Sequence, residues 1–317
     1  MTFPDKIVNG DIRSIAKGIS IVESGGIKSD DLLNKLYNRN CSYIIGVTGP
    51  PGAGKSSLIN LLIDEFKHHF RKIAILAVDP SSPFTGGALL GDRIRMQQHA
   101  MSESVFIRSM ASRGHLGGIS GATKDAIKIV SAAGYDLVII ETVGVGQSEI
   151  DIVKLSDTTV LILVPGYGDE IQVMKSGIME IGEVFVVNKS DKSGSEKLAT
   201  TVKWLLKENY GNKSYLPPVI LSSVTNNTGI KDIVKAVLNH KNYIEKNGID
   251  RDKIKKRIKD DINILLKRKI NEFIQHHLKY PENIEKWVNL VISKKSTPYE
   301  IIREIKDNMI LDVKEDI

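Results

Sequence analysis

Cysteine is nearly missing from this chain: Cys41 is the only one in 317 residues. One thiol excludes a disulfide within the chain and any metal centre built on several cysteines. Cys41 itself reads as a small residue ahead of a strand. Long apolar runs are also missing, since the longest are strand-sized and a bilayer crossing needs ~20 residues. No basic-then-apolar leader opens the sequence, and Asp5 and Asp11 argue against a transit peptide, so a cytoplasmic protein with no membrane partner is expected. Segregated charge is a third absence. The formal net charge is +6, yet Lys and Asp/Glu alternate almost throughout, which favours a solvated surface over a nucleic-acid face. No internal repeat or low-complexity tract appears. What remains, with 41% hydrophobic residues, is ample material for a large core and more than one domain.

The most informative stretch is Gly49-Pro50-Pro51-Gly52-Ala53-Gly54-Lys55-Ser56-Ser57, which fills the spacing G-x-x-x-x-G-K-[ST]. The apolar run Tyr43–Val47 before it reads as a buried strand. Leu58, Leu61, Leu62 and Phe66 after it fall at helical intervals. A strand that turns into a helix through glycines leaves backbone N–H groups free to cradle a polyphosphate. Lys55 would then meet the β/γ oxygens as a point charge, and the Ser56 hydroxyl would ligate Mg²⁺.

In chain order, residues 1–40 carry apolar residues at helical spacing and suggest two short helices packed on the main domain. His68 and His69 read as exposed residues at a helix end. Strands are expected at 72–78, 105–109, 136–140, 159–164, 183–187 and 218–221. The resulting fold class is α/β: a P-loop nucleoside triphosphatase (NTPase) fold with a mostly parallel sheet flanked by helices, over residues 41–240, between helical extensions at 1–40 and 241–317. Asp79 closes the second strand where a parallel sheet delivers residues to a nucleotide crevice, which makes it a candidate for the metal's water shell. The Gly/Ser/Pro-rich stretch after it suits a switch loop, with Asp92 as a second candidate metal contact. Glu141-Thr142-Val143-Gly144 ends the next strand in a Walker-B position, with Glu for the usual Asp. There the carboxylate would reach Mg²⁺ through water, and the Gly144 N–H would sense a γ-phosphate. Many GTPases place a water-orienting Gln directly after that Gly. Here Val145 follows, and Gln147 comes two residues later, so hydrolysis is expected to be slow until a partner or a rearranged loop completes the site.

Asn188-Lys189-Ser190-Asp191 follows the sixth strand. A carboxylate at Asp191 can accept both guanine N1–H and N2–H₂, whereas adenine offers neither donor. Leaving such groups unpaired costs about 1–3 kcal/mol each, which favours GTP over ATP. Ser222-Ser223-Val224, after the last strand, would close over the base with its backbone. Trp204 reads as a core residue on the helix that holds Val202, Leu205 and Leu206. Beyond about residue 240 the chain is Lys- and Ile-rich with almost no glycine. Ile254, Ile258, Ile262, Leu265, Ile270, Phe273 and Ile274 form one apolar stripe to be buried against its own domain or, preferably, another subunit. Two further helices are marked by Trp287, Val288 and Val291 and by Tyr299, Ile302 and Ile305.

Together these motifs resemble the MeaB/ArgK-type P-loop GTPases, relatives of the human methylmalonic aciduria type A protein. The likeness rests on residues 49–57, 79–93, 112–118, 141–149, 165–172 and 188–191, and extends from Ile19–Glu23 to Ser296–Tyr299. It implies a homodimer joined by the C-terminal helical arm, with GTP/GDP and Mg²⁺ as ligands. It also implies a chaperone role that gates adenosylcobalamin loading of a separate B12-dependent acyl-CoA mutase, because the chain lacks the Asp-x-His-x-x-Gly cobalamin pattern. By the same analogy Ser56, Asp79, Asp92 and Glu141 organise Mg²⁺, and residues 165–175 form an extra switch that brings Lys175 to the GTP when the mutase binds. Two other readings start from the same fold. One is a kinase of transport-system binding proteins, against which stands the want of a substrate-hydroxyl site with a catalytic Asp. The other is a nickel metallochaperone, which would call for a His-rich tail or a Cys pair that the sequence does not have.

Overall fold

The structure, a computed structural model, describes residues 1–37, 41–80, 99, 102–112, 118–142, 152, 154–166, 180–211, 214–277 and 283–315. By its contacts the chain divides into two compact units, Met1–Asp250 and Arg251–Ile317.

The first unit is built on seven parallel strands: β1 (Tyr43–Thr48), β2 (Ile73–Pro80), β3 (Val105–Ser112), β4 (Leu137–Thr142), β5 (Thr158–Leu163), β6 (Val184–Val187) and β7 (Val219–Leu221). Their order across the sheet is β3-β2-β4-β1-β5-β6-β7. Each pairing is parallel. Helices cover both faces, which is why β1, β4, β5 and β6 read as unbroken apolar runs and not as alternating ones. Period-two geometry then sorts those runs. Tyr43, Ile45 and Val47 enter one core with α4 (Lys55–Phe66) and α7 (Ile230–Lys246), while Ile44 enters the core on the opposite face. That opposite core is lined by α5 (Gly118–Ala132) and the N-terminal helices. Farther along, Leu161, Leu163, Phe185 and Val187 meet α6 (Ser195–Tyr210). The expected fold is therefore present, with β3 running three residues past the expected Ser109.

The N-terminal segment holds three helices where the periodicity predicts two: α1 (Phe3–Val8), α2 (Ile12–Ser24) and α3 (Ile27–Leu36). The extra one is short but well capped. Thr2 accepts from the Asp5 N–H while the Asp5 carboxylate accepts from the Thr2 N–H, and a proline stands in the first turn. Asp11 caps α2 by accepting from the Ser14 N–H at 2.8 Å. Ile7, Ile15, Ile19, Val22, Leu32 and Leu36 share the core of β2 and β4, and Arg108 of β3 pairs with Glu23 of α2 at 2.8 Å. These helices are thus part of the first unit's core.

Trp204 departs from expectation: it is 60% exposed. The buried face of α6 is Leu198, Val202 and Leu206, spaced by four, so a residue two positions past Val202 points to the opposite side. Trp204→Ala should accordingly change the unfolding free energy by no more than about 0.5 kcal/mol. Phe185→Ala, in the fully buried core beneath the same helix, should cost about 3–5 kcal/mol. Chemical denaturation of the two variants checks the contrast.

The second unit comprises α8 (Ile249–His277, from Arg251 on), α9 (Ile284–Ile292) and α10 (Pro298–Glu315). Thr297 and Glu300 cap α10 reciprocally, so the Ser-Thr-Pro entry is a capping box with Pro at the first helical position. On α8 the stripe residues Ile254, Ile258, Ile262, Leu265 and Ile270 are each 41–59% exposed. No helix among the described residues is long and apolar enough to cross a membrane.

Candidate nucleotide site

β1 runs to Thr48 at the centre of the sheet, and the chain leaves the strand's carboxyl end into Gly49–Gly54 before α4 begins at Lys55. Two glycines make this turn possible. Gly49 has φ +148° and lies so close to β5 that a Cβ would sit 2.3 Å from the Ile162 carbonyl oxygen. Gly54, left-handed at φ +84°, caps α4, and a Cβ there would come 2.8 Å from Asn188 Nδ2. A side chain at Gly49 would collide with the backbone of β5 and one at Gly54 with Asn188, so the turn as folded needs glycine at both positions. Lys55 is buried at the start of α4, and its Nζ donates to the Gly49 and Pro50 carbonyls at 2.8 and 3.0 Å. The ammonium is folded back on its own loop, at the place a triphosphate would contest. Ala53 is buried, while Pro51 and Ser57 face outward.

Ser56 and Glu141 come together as the motif reading expects. The Ser56 hydroxyl donates to Glu141 Oε1 at 2.6 Å, both residues being buried. A hydroxyl and a carboxylate at this distance below a phosphate loop are a hard-oxygen donor set suited to Mg²⁺ and its waters, with the hydroxyl able to bind directly and the carboxylate through water. β1–β4 pairing sets the register, Val47 opposite Glu141, and one residue on the Thr142 hydroxyl donates to that of Thr48 at 3.3 Å. Asp79 is the next-to-last residue of β2, opposite Ala111 of β3. Asp92, Gly144, Gln147 and Lys175 lie outside the described residues.

The base-reading motif closes on the same loop from the next strands. Asn188 leaves β6 with its N–H donating to the Leu163 carbonyl at 2.8 Å, and its Nδ2 donates to the Ala53 carbonyl at 2.7 Å. Its Oδ1 is buried with no partner among the described residues, which leaves a polar edge for a ligand. Lys189 adopts φ +57° and donates from Nζ to the Gly52 carbonyl at 2.7 Å. Two consecutive side chains thus hold the phosphate loop from more than 130 positions away. Ser190 N–H donates to the Ser222 carbonyl at 2.9 Å. Asp191, exposed to solvent, accepts the Ser223 hydroxyl on Oδ1 at 2.5 Å. That bond, followed by a backbone N–H and the charges of Lys192 and Lys189, holds the Asp191 carboxyl below the usual carboxylate range.

Motif reasoning expects only backbone from Ser222, Ser223 and Val224. The Ser223 side chain is the residue it misses, and a hydroxyl just after the last strand is the one available signal. Ser223→Ala should free the Asp191 carboxylate to rotate and weaken guanine nucleotide binding about three- to tenfold with little change in kcat, read by GDP titration.

Residues 15–279 match the family described as methylmalonyl Co-A mutase-associated GTPase MeaB. The chain belongs to this family. A candidate GTPase of Pyrococcus horikoshii is 42% identical over 299 residues, 93% of either chain. GTPase ArgK of Escherichia coli is 35% identical over 254 residues, covering 77% of this chain and 76% of that one. The mouse mitochondrial methylmalonic aciduria type A homolog is 37% identical over 200 residues, 58% of this chain and 48% of the mouse protein. Among solved structures, a LAO/AO transport system kinase superposes with a TM-score of 0.65 over 97% of this chain and 96% of its own, at 23% identity, a likeness of fold. MeaB-family membership makes the chain a P-loop GTPase.

Proposed function

We propose that this MeaB-family protein couples GTP binding and hydrolysis to the handling of adenosylcobalamin by a separate B12-dependent acyl-CoA mutase of the methylmalonyl-CoA type, in the cytoplasm and as a homodimer. The observation that carries the nucleotide half is the double clamp of Asn188 and Lys189 on Ala53 and Gly52, which fixes a guanine-reading carboxylate relative to a phosphate loop. The family description, which names mutase association, supports the client half. Mg²⁺ would be held by Ser56 and, through water, by Glu141, with Asp79 and Asp92 completing its shell. When bound it would draw charge off the β- and γ-phosphate oxygens. Lys55 would leave the Gly49 and Pro50 carbonyls for the phosphates. Val145 stands where many GTPases carry the water-orienting Gln, which favours slow hydrolysis in the lone protein and a client-induced entry of Lys175. The exposed apolar stripe of α8, in the expected dimerisation arm of residues 241–317, supports a second copy as its cover.

The test is GTP turnover by the full chain with and without an adenosylcobalamin-dependent mutase from the same cell, followed as free phosphate. A severalfold rise in phosphate release on adding the mutase is expected. Label transferred from GTP to a transport-system binding protein, with no response to the mutase, would overturn the proposal in favour of a kinase.

A further inference from the structure

Asn188 and Ser222 are the residues that follow β6 and β7, and both are closed off from solvent, at 1% and 0% exposure. The strand register sets Val186 beside Ile220 and Val187 beside Leu221, so Asn188 and Ser222 come next to each other at the sheet's carboxyl edge. The Ser222 N–H continues the ladder by donating to the Val187 carbonyl at 2.9 Å. Val186 and Ile220 face the core of α4 and α7, and two residues on, Asn188 and Ser222 start from that same face. The Asn188 side chain runs that way, reaching the Ala53 carbonyl just ahead of α4. Each side chain also holds a buried polar atom with no partner among the described residues, Asn188 Oδ1 and the Ser222 hydroxyl. Such atoms are uncommon, and these two complement one another, because an amide oxygen only accepts and a hydroxyl can donate.

The Ser222 main chain is pinned on both sides. Its N–H is on Val187 and its carbonyl accepts from the Ser190 N–H at 2.9 Å, so only rotation of the side chain moves the hydroxyl. Neighbouring strands lie about 4.8 Å apart, a span that one serine rotamer and one hydrogen bond to a longer side chain can cover.

The amide nitrogen decides what the pair is for. Asn188 Nδ2 has two protons, and one is engaged by the Ala53 carbonyl at 2.7 Å. With Asp191 accepting from N1–H and N2–H₂, the polar groups a guanine has left are O6 and N7, both acceptors. The second Nδ2 proton can serve that edge, whereas Oδ1, itself an acceptor, pairs with neither group. We infer that Ser222 is a positioning residue: its hydroxyl donates to Asn188 Oδ1 and turns the amide so that the remaining N–H meets guanine N7. This rests on the reading of residues 188–191 as the guanine site. Ser222 touches no part of the nucleotide with its side chain in this arrangement, and its effect passes through Asn188.

The experiment is a calorimetric titration of the full chain with GDP, with 7-deaza-GDP, in which a C–H replaces N7, and with ADP. It compares the unaltered protein, Ser222→Ala and Asp191→Asn. The unaltered protein should bind GDP about three- to tenfold more tightly than 7-deaza-GDP. Ser222→Ala should weaken GDP by about the same factor and change 7-deaza-GDP less than twofold, so that most of the preference disappears. A preference that survives in Ser222→Ala overturns the inference, and so does an equal weakening of both ligands, which would mark a general structural role. Equal affinity of the unaltered protein for the two ligands also overturns it, since N7 is then unread. Should Ser222→Ala fail to fold, Ser222→Cys keeps a side chain in place with a weaker donor. A partial loss of the preference is then expected, and a full preference refutes the inference. Asp191→Asn separates the two layers. A preference for GDP over ADP indifferent to Asp191 sinks the guanine-site reading and this inference with it, while a normal Asp191 effect with an unmoved GDP to 7-deaza-GDP ratio in Ser222→Ala sinks the inference alone.

Discussion

Lys55→Ala is expected to weaken Mg²⁺·GTP binding by on the order of a hundredfold or more and to reduce hydrolysis to the background rate. A hydrogen bond to a charged partner contributes about 1.5–3 kcal/mol, and each 1.4 kcal/mol is a factor of ten. Lys55 would make at least one such bond to the β- and γ-oxygens, and as a charge close to the transferred group it would also steady the transition state. The buried ammonium already satisfies itself on the Gly49 and Pro50 carbonyls, so binding exchanges two neutral acceptors for anionic ones and leaves no gap behind. Alanine removes the exchange altogether. The fold should survive, because α4 is held by Leu58, Ile59, Leu62, Ile63 and Phe66 in the core, and circular dichroism with calorimetric GTP titration reads both outcomes.

Asp191→Asn is the second large effect. The carboxylate would accept two donors of guanine, and an amide in its place presents at best one acceptor and adds an NH₂ that faces N1–H or N2–H₂. Two charged hydrogen bonds forfeited at about 1.5–3 kcal/mol each amount to two to four decades of GTP affinity. Xanthosine triphosphate, with a carbonyl at C2 where guanine has an amino group, should gain from the same change, because the new NH₂ can donate to it. The pH dependence has a definite sign. The Asp191 pKa is depressed, chiefly by the Ser223 hydroxyl, so the charged form and the guanine affinity it confers are complete above the ordinary carboxylate range and decline only as pH falls through the lowered value. Ser223→Ala should move that decline upward in pH. Competition titrations of GTP, ATP and xanthosine triphosphate at neutral pH report on the first two effects, and GTP titrations carried below the ordinary carboxylate value of 3.8 report on the third.

Much of this site is written in local sequence, because its chemistry is local. A strand, a glycine turn and a helix carrying Lys55 and Ser56 are adjacent in the chain, and the strand pattern is unbroken because both faces of a parallel sheet are covered. Elements held by distant contacts are less legible. The Lys189 bond to Gly52 spans 137 positions and the Ser223 bond to Asp191 spans 32, and neither follows from its own neighbourhood. Trp204 was readable in principle: the four-residue spacing of Leu198, Val202 and Leu206 puts it on the outer face, but its apolar bulk argues for the core. The α1 helix is too short for periodicity and depends on its capping box. The apolar stripe of α8 is plain in the sequence, whereas the second copy proposed to cover it is not written there.

A crystal structure of the full chain with GDP and Mg²⁺ tests the central claim most directly. The account requires Lys55 Nζ to have left the Gly49 and Pro50 carbonyls for the β-phosphate, Ser56 to touch the metal, and the Asp191 carboxylate to lie within hydrogen-bond reach of guanine N1 and N2. A base bound away from residues 188–191, or a diphosphate bound away from the Gly49–Ser56 loop, would contradict it.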